Sequence, residues 1–280
     1  MSSLPPGEEY STLPTQMHGM VNIAVRAARR AGELMIRQLN HLESLQVTEK
    51  SRNEFVTQVD HLAEAAIIEV IRDHYPEHAI LAEESGSQGD HEYQWIIDPL
   101  DGTTNYIHGF PVFSVSIAVA QNGELQHGVV YDPLRQEIFS ATRGQGAQLD
   151  GRKIRVSKRT ALQQSLIATG FPYRMNLEHI DRYLGMLRAV MLESAGVRRP
   201  GSAALDLCYV AAGRVDAFWE IGLSKWDIAA GALIIREAGG RISDFRGSDN
   251  YLVSGNVVAG NPKVYAALSK LLSTLAVGMD

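Results

Sequence analysis

An α+β fold, built as a layered sandwich of helices and sheets in two halves, is what this sequence predicts, and three observations carry it. Two stretches near the N-terminus place apolar residues at helical spacing. A run of short apolar segments follows, separated by turn residues, in the order of an antiparallel meander. The remainder alternates strand-like and helix-like segments, and one of its helices is apolar almost all round. Apolar faces of this kind are buried by stacking one layer on another. No linker, repeat or low-complexity block interrupts the chain, so residues 17–280 are expected to form one domain, with halves of roughly 17–155 and 156–280. Residues 1–16, rich in Pro, Gly and Ser, are expected to be a disordered tail or extension.

Taken in order, Met20 to Leu39 repeats Ile23, Ala27, Ala31, Leu34 and Met35 on one helical face. Leu42 to Val59 is mixed in character and reads as a mobile loop or hairpin. Asp60 is placed to cap a second helix carrying Ala63, Ala66, Ile67, Val70 and Ile71, which Pro76 ends. Ala79 to Ala82 and Trp95 to Ile97 are short apolar strands, the second expected to stop at Asp98-Pro99. Val112 to Ala120 and Leu125 to Tyr131 flank Asn122-Gly123, a strong hairpin signal, and Gln136 to Thr142 continues the meander. The glycine-rich RGQGAQLDG after it reads as a turn. In the second half, strands are expected at Leu166–Thr169, Val215–Trp219 and Val257–Ala259. Helices are expected at Glu178–Leu192, from Ser202 to Ala212, at Trp226–Ala238, and from Pro262 onward.

Composition narrows the function classes. The formal charge of −6 excludes a global basic field for nucleic acid, and no direct nucleic-acid site is evident. An anionic substrate would need local metal ions or backbone amides. Cys208 is the only cysteine, so neither an internal disulfide nor a thiolate zinc cluster can form, which fits a reducing, cytoplasmic setting. No apolar run reaches the roughly 18 residues of a membrane span, and the N-terminus lacks the pattern of a signal peptide. The histidines show no metal-ligand spacing. Cys208 sits among Leu205, Leu207 and Val210 and reads as a small core group, and Trp95, Trp219 and Trp226 read as packing anchors. Arg198-Arg199 reads as an exposed basic pair or part of an interface.

The chemistry concentrates in WIIDPLDGTTN, Trp95 to Asn105. Asp98 and Asp101 stand on one tight corner, and Gly102, Thr103 and Thr104 offer backbone amides to an anion. Carboxylates beside such a cradle would repel phosphate unless cations lay between them, and hard oxygen ligands favour magnesium, manganese or calcium. The plain alternative is a β-turn with aspartate caps. Glu83-Glu84 ends the preceding strand and could be only a solvated turn. Asp227 opens the all-apolar helix WDIAAGALII, where it is either an N-terminal cap or a buried metal ligand.

WIIDPLDGTTNY, together with GSAALDLCYVAAGRVDAFWEIGLSKWDIAAGALIIREAGG, resembles the inositol monophosphatase family over about Met20 to Leu272, and most closely its bacterial SuhB-type branch. The resemblance implies an α-β-α-β-α sandwich of the inositol monophosphatase and sugar phosphatase type, and a lithium-sensitive phosphatase using two or three Mg2+ ions. By motif match it implies metal positions at Glu83, Asp98, the Leu100 carbonyl, Asp101 and Asp227, with Thr103 beside them. Asp98 would bridge two ions. Gly102 and Thr103 would hold the phosphate, with Asp101 and Asp227 also lining the substrate. Ser202, Ala203 and Glu220 would meet the polyol. Asp60 and Thr103 would orient the attacking water, with Glu83 in the catalytic set, and Lys50 would lie in a loop closing on the metals. It also implies a homodimer, and through the SuhB-type branch a role with NusA and RNA polymerase in ribosomal RNA antitermination.

These residues admit hydrolysis of inositol monophosphate to inositol and phosphate by in-line attack of a metal-activated water. The chemical rival is an aspartyl-phosphate on Asp98 or Asp101. The substrate rival is another small ester, such as a nucleotide-linked or sugar phosphate.

Overall fold

The computed structural model describes residues 19–39, 47–51, 54–172 and 177–276. The tail expected at 1–16 lies outside them, and so does the side chain of Lys50. Helix α1 (Gly19–Leu39) is followed by the antiparallel pair β1 (Val47–Ser51) and β2 (Glu54–Thr57), the hairpin alternative for this region. Helix α2 (Gln58–Arg72) is capped by Thr57, whose hydroxyl accepts the Val59 N–H at 3.1 Å. Asp60 is therefore not the cap. It stands one turn inside and accepts the Thr57 N–H at 2.8 Å, closing a capping box.

Strands β3 (Ala79–Ala82), β4 (Gly86–Gln88) and β5 (Tyr93–Asp101) lead into the five-residue helix α3 (Thr103–Ile107). Then come β6 (Ser114–Gln121), β7 (Glu124–Asp132), β8 (Glu137–Thr142), β9 (Gly146–Leu149) and β10 (Arg152–Lys153). Together they form an eight-stranded sheet in the order β10-β9-β8-β7-β6-β5-β3-β4. The meander is antiparallel as expected, and the one parallel pair is β3 with β5. Two expectations are corrected. The RGQGAQLDG segment is not simply a turn: Gly144, Gly146, Asp150 and Gly151 take left-handed φ, but Gly146–Leu149 pairs with β8. Nor does Pro99 stop β5, which pairs on as far as Asp101. A bulge between Asp98 and Asp101 interrupts the ladder where proline cannot donate.

Strand β11 (Leu166–Thr169) and helix α4 (Leu177–Glu193) begin the second half, followed by β12 (Gly196–Arg198), α5 (Ala203–Ala211), β13 (Ala217–Glu220) and α6 (Lys225–Glu237). Strand β14 (Arg241–Ser243), α7 (Tyr251–Ser254), β15 (Val257–Gly260) and α8 (Pro262–Ser273) complete it. The second sheet runs β12-β11-β13-β15-β14. Its edge strands β12 and β14 have three residues each and were not anticipated, being too short to show a period.

Side-chain alternation divides the interior into three cores and so defines five layers. Val115, Ile117 and Val119 of β6 face α1 and α2, while Ala118 and Ala120 face the opposite way, toward α5 and α6. The same middle core takes Phe218, Val257 and Ala259 from the second sheet. Trp219 and Val258 point to the far side, against Tyr183, Met186 and Val190 of α4 and Leu268 of α8. The order is thus α1/α2, sheet, α5/α6, sheet, α4/α8. Helices α5 and α6 lie close together because Gly231 has no side chain: a Cβ there would fall 2.6 Å from Cβ of Leu207. No described helix is long and apolar enough to cross a membrane.

Candidate active site

In a regular strand, residues three apart point to opposite faces. The bulge in β5 removes that opposition. Asp98 pairs with Ser116 and Asp101 with Ser114, so three steps on β5 match two on β6. The extra residue brings both carboxylates to the end of the sheet that faces α6. Asp98 folds back to accept the Leu100 N–H at 3.0 Å. Gly102 then reverses the chain at φ 98°, where a Cβ would meet the Val112 carbonyl at 3.0 Å and the Gly201 carbonyl at 3.2 Å.

The third acid comes from the other half. Asp227 is the third residue of α6 and accepts the Ser224 N–H at 2.7 Å in a capping box. The cap reading and the metal reading are therefore compatible: one oxygen serves the helix, and the group still joins the cluster. Carboxylate oxygens of Asp98, Asp101 and Asp227 lie within 4.8 Å of one another. Asp98 is 1% exposed and Asp227 7%. Burial, then the charges of Glu83, Asp101 and Asp227, push the Asp98 carboxyl well above the ordinary range. Burial and Asp227 raise Asp101 to about 7, against hydrogen bonds from Ser202, Ala204 and Ala203 that lower it. Asp98 and Asp101 are thus each opposed in ionisation by neighbouring acids. The donor set is all hard oxygen, so the residues fit Mg2+ or a similar ion.

Glu83 lies outside that tight triplet, yet its charge is felt at Asp98. Its N–H donates to the Ile97 carbonyl at 3.1 Å, fixing the end of β3 beside β5. The Leu100 carbonyl and Asp60 Oδ1 share the Thr103 hydroxyl at 3.0 and 3.1 Å. Asp60 is fully buried, and its carboxyl is raised chiefly by that burial. Glu220 ends β13, and its carboxylate covers Gly170, where a Cβ would fall 1.9 Å from Oε1. Ser202 is the N-cap of α5, and its fully buried hydroxyl donates to Asp101 Oδ2 at 2.5 Å. Its side chain is thus engaged with Asp101. Ala203 is the first residue of α5, and Ala204 N–H also donates to Asp101, at 2.8 Å.

Several residues of the site were missed from sequence. Glu64, buried on α2, accepts the Glu84 and Ser85 N–H groups, both at 2.8 Å, and so shapes the turn that carries Glu83. Ser114 and Ser116, the register partners of Asp101 and Asp98, each reach across to the second half. Ser114 Oγ is 3.1 Å from Ser202 Oγ, and Ser116 Oγ donates to the Trp226 carbonyl at 3.1 Å. In VFSVSIAVA two serines inside an apolar run were the available signal. Asp206 on α5 is 1% exposed, and its Oδ1 has no hydrogen-bond partner among the described residues. Burial, then Glu220 and Asp101, raise its carboxyl well above normal.

A buried carboxylate triplet that could hold a metal ion, assembled from two halves of a five-layer sandwich beside a glycine turn, is a constellation suited to metal-assisted hydrolysis. Residues 16–276 match the inositol monophosphatase family, and the chain belongs to it. It is 54% identical over 257 residues to the Nus factor SuhB of Pseudomonas aeruginosa, a match covering 90% of this chain and 95% of that protein. Among solved structures it resembles the extragenic suppressor protein suhB of Bartonella henselae, with TM-score 0.88, 43% identity, and coverage of 91% and 98% of the two chains. It also resembles the inositol monophosphatase of Anabaena, with TM-score 0.79, 40% identity, and coverage of 91% and 95%.

Proposed function

We propose that this chain hydrolyses the phosphate monoester of a small polyol, inositol monophosphate in the first instance, with Mg2+. The observation that carries this reading is the mutual approach of Asp98, Asp101 and Asp227 within 4.8 Å. These three, with Glu83 and the Leu100 carbonyl, would hold the cations, which when bound neutralise the ester, lower the pKa of a water and steady the leaving alkoxide. The amides of Gly102 and Thr103 face the phosphate oxygens. Thr103 Oγ, hydrogen-bonded to Asp60 at 3.1 Å, orients the attacking water and holds a proton that Asp60 can accept. Glu220 and Ala203 contact the polyol, and Ser202 acts through Asp101. Because Asp98 and Asp101 would be engaged as ligands, neither would be free to act as a nucleophile. Single turnover in oxygen-18 water should place label directly in the released phosphate, and label appearing first in an aspartate would overturn this.

Phosphate release from inositol 1-phosphate, with and without Mg2+, tests the reading. Release that does not depend on the cation would refute it. A panel of nucleotide and sugar phosphates tests the substrate, and adding lithium and measuring solution mass tests the inhibition and homodimer that accompany it. A second function, in a transcription assembly with NusA and RNA polymerase, is supported by the name Nus factor carried by the Pseudomonas relative. Pull-down of both partners by wild type and by Asp98→Asn would separate this role from catalysis.

A further inference from the structure

We infer that Asn105 is a positioning residue for Asp101, acting through the turn that opens α5. The inference rests on the metal-dependent reading above. Asn105 follows the phosphate turn and lies on α3 in the first half. Its side-chain NH2 donates to the Val112 carbonyl at 2.7 Å within that half. Across the seam it donates to the Pro200 carbonyl at 2.9 Å, with the Gly201 carbonyl at 3.4 Å. One amide group thus engages three carbonyls, two of them on the far side.

The backbone there leaves no slack. Gly201 has φ 96°, and a Cβ on it would fall 2.8 Å from Asn105 Nδ2. A Cβ on Gly102 would fall 3.2 Å from the Gly201 carbonyl. The two glycine turns lie back to back, with the Asn105 amide as the joint between them. Immediately after Gly201 come both groups that hold Asp101 Oδ2: the Ser202 hydroxyl at 2.5 Å and the Ala204 N–H at 2.8 Å. Displacing the Pro200–Gly201 backbone displaces both donors, and a carboxylate ligand whose supporting hydrogen bonds move binds its ion less well.

The test is Mn2+ binding to the full chain, read by electron paramagnetic resonance and calorimetry without substrate, alongside the metal-free unfolding midpoint. Asn105→Asp is nearly isosteric but turns a carboxylate toward three carbonyls. Its added negative charge would by itself strengthen cation binding. Loss of the joint should instead weaken Mn2+ binding, by about tenfold. Combined with Ser202→Ala, the loss should be smaller than the product of the two single losses, because both act on Asp101. A folded Asn105→Asp that binds Mn2+ as tightly as wild type, or effects that multiply independently, would overturn the inference. Should that variant not fold, Asn105→Ser, whose hydroxyl cannot span both turns, carries the same expectation and the same refutation. Failure of the wild type to bind Mn2+ would refute the metal reading itself, a result distinct from failure of the clamp alone.

Discussion

At Asp98 and Asp101 burial pushes both carboxyls toward their protonated form unless a cation balances their charge. Asp98→Asn should lower phosphate release by several orders of magnitude at saturating Mg2+ while leaving the fold intact, and near-normal turnover would refute its assignment. Thr103→Ala removes the hydroxyl between Asp60 and the Leu100 carbonyl and should cost about a hundredfold or more in kcat. Asp101 makes a pH prediction. Its native pKa of about 7 lies above the ordinary 3.8. Between those values the native state keeps a proton that the unfolded chain has released, so stability falls as pH rises across the window. The metal-free unfolding midpoint should therefore decline from mild acid to neutrality, less steeply in Asp101→Asn. Mg2+ should restore it at neutral pH and do little at about pH 5, where protons compete for the same oxygens. A flat wild-type profile would count against the buried triplet.

At the scale of elements, a bulge, two glycine turns and a capped helix bring the acids together. Gly102→Ala would force a side chain into φ 98° against two carbonyls. It should destabilise by about 1–3 kcal/mol and disturb the phosphate turn as well, visible as a raised KM beside a lowered melting temperature. Glu64→Gln should loosen the turn carrying Glu83 and weaken Mg2+ binding more than it changes stability. The helices and the meander were legible in the sequence because their apolar periods are long enough to read. The acidic corner was legible through its resemblance to a family motif, because aspartate, proline and glycine alone also read as an ordinary β-turn. The continuation of β5 through Pro99 was not, since a bulge depends on the partner strand rather than on local preference. Glu64, Ser114 and Ser116 were illegible for a related reason. Each is an ordinary polar residue whose role comes from what tertiary folding sets opposite it.

Across the whole molecule, the site lies on a seam. Asp98 and Asp101 come from the first sheet and Asp227 from a helix packed between the sheets, so a cation bound by all three would couple its binding free energy to docking of the halves. Ligand at a hundred times its Kd stabilises a native state by about 2.7 kcal/mol, and saturating Mg2+ should raise the unfolding midpoint accordingly in a single cooperative transition. Asp98→Asn should show much less of that rise.

Cys208 lies fully buried on α5 in the middle core, its thiol held well above the usual range by burial. Being the chain's one sulfhydryl, it is a built-in clock for breathing of the sandwich: a thiol-reactive dye reaches it only when the central layer parts. The labelling rate therefore times openings that no activity assay would register.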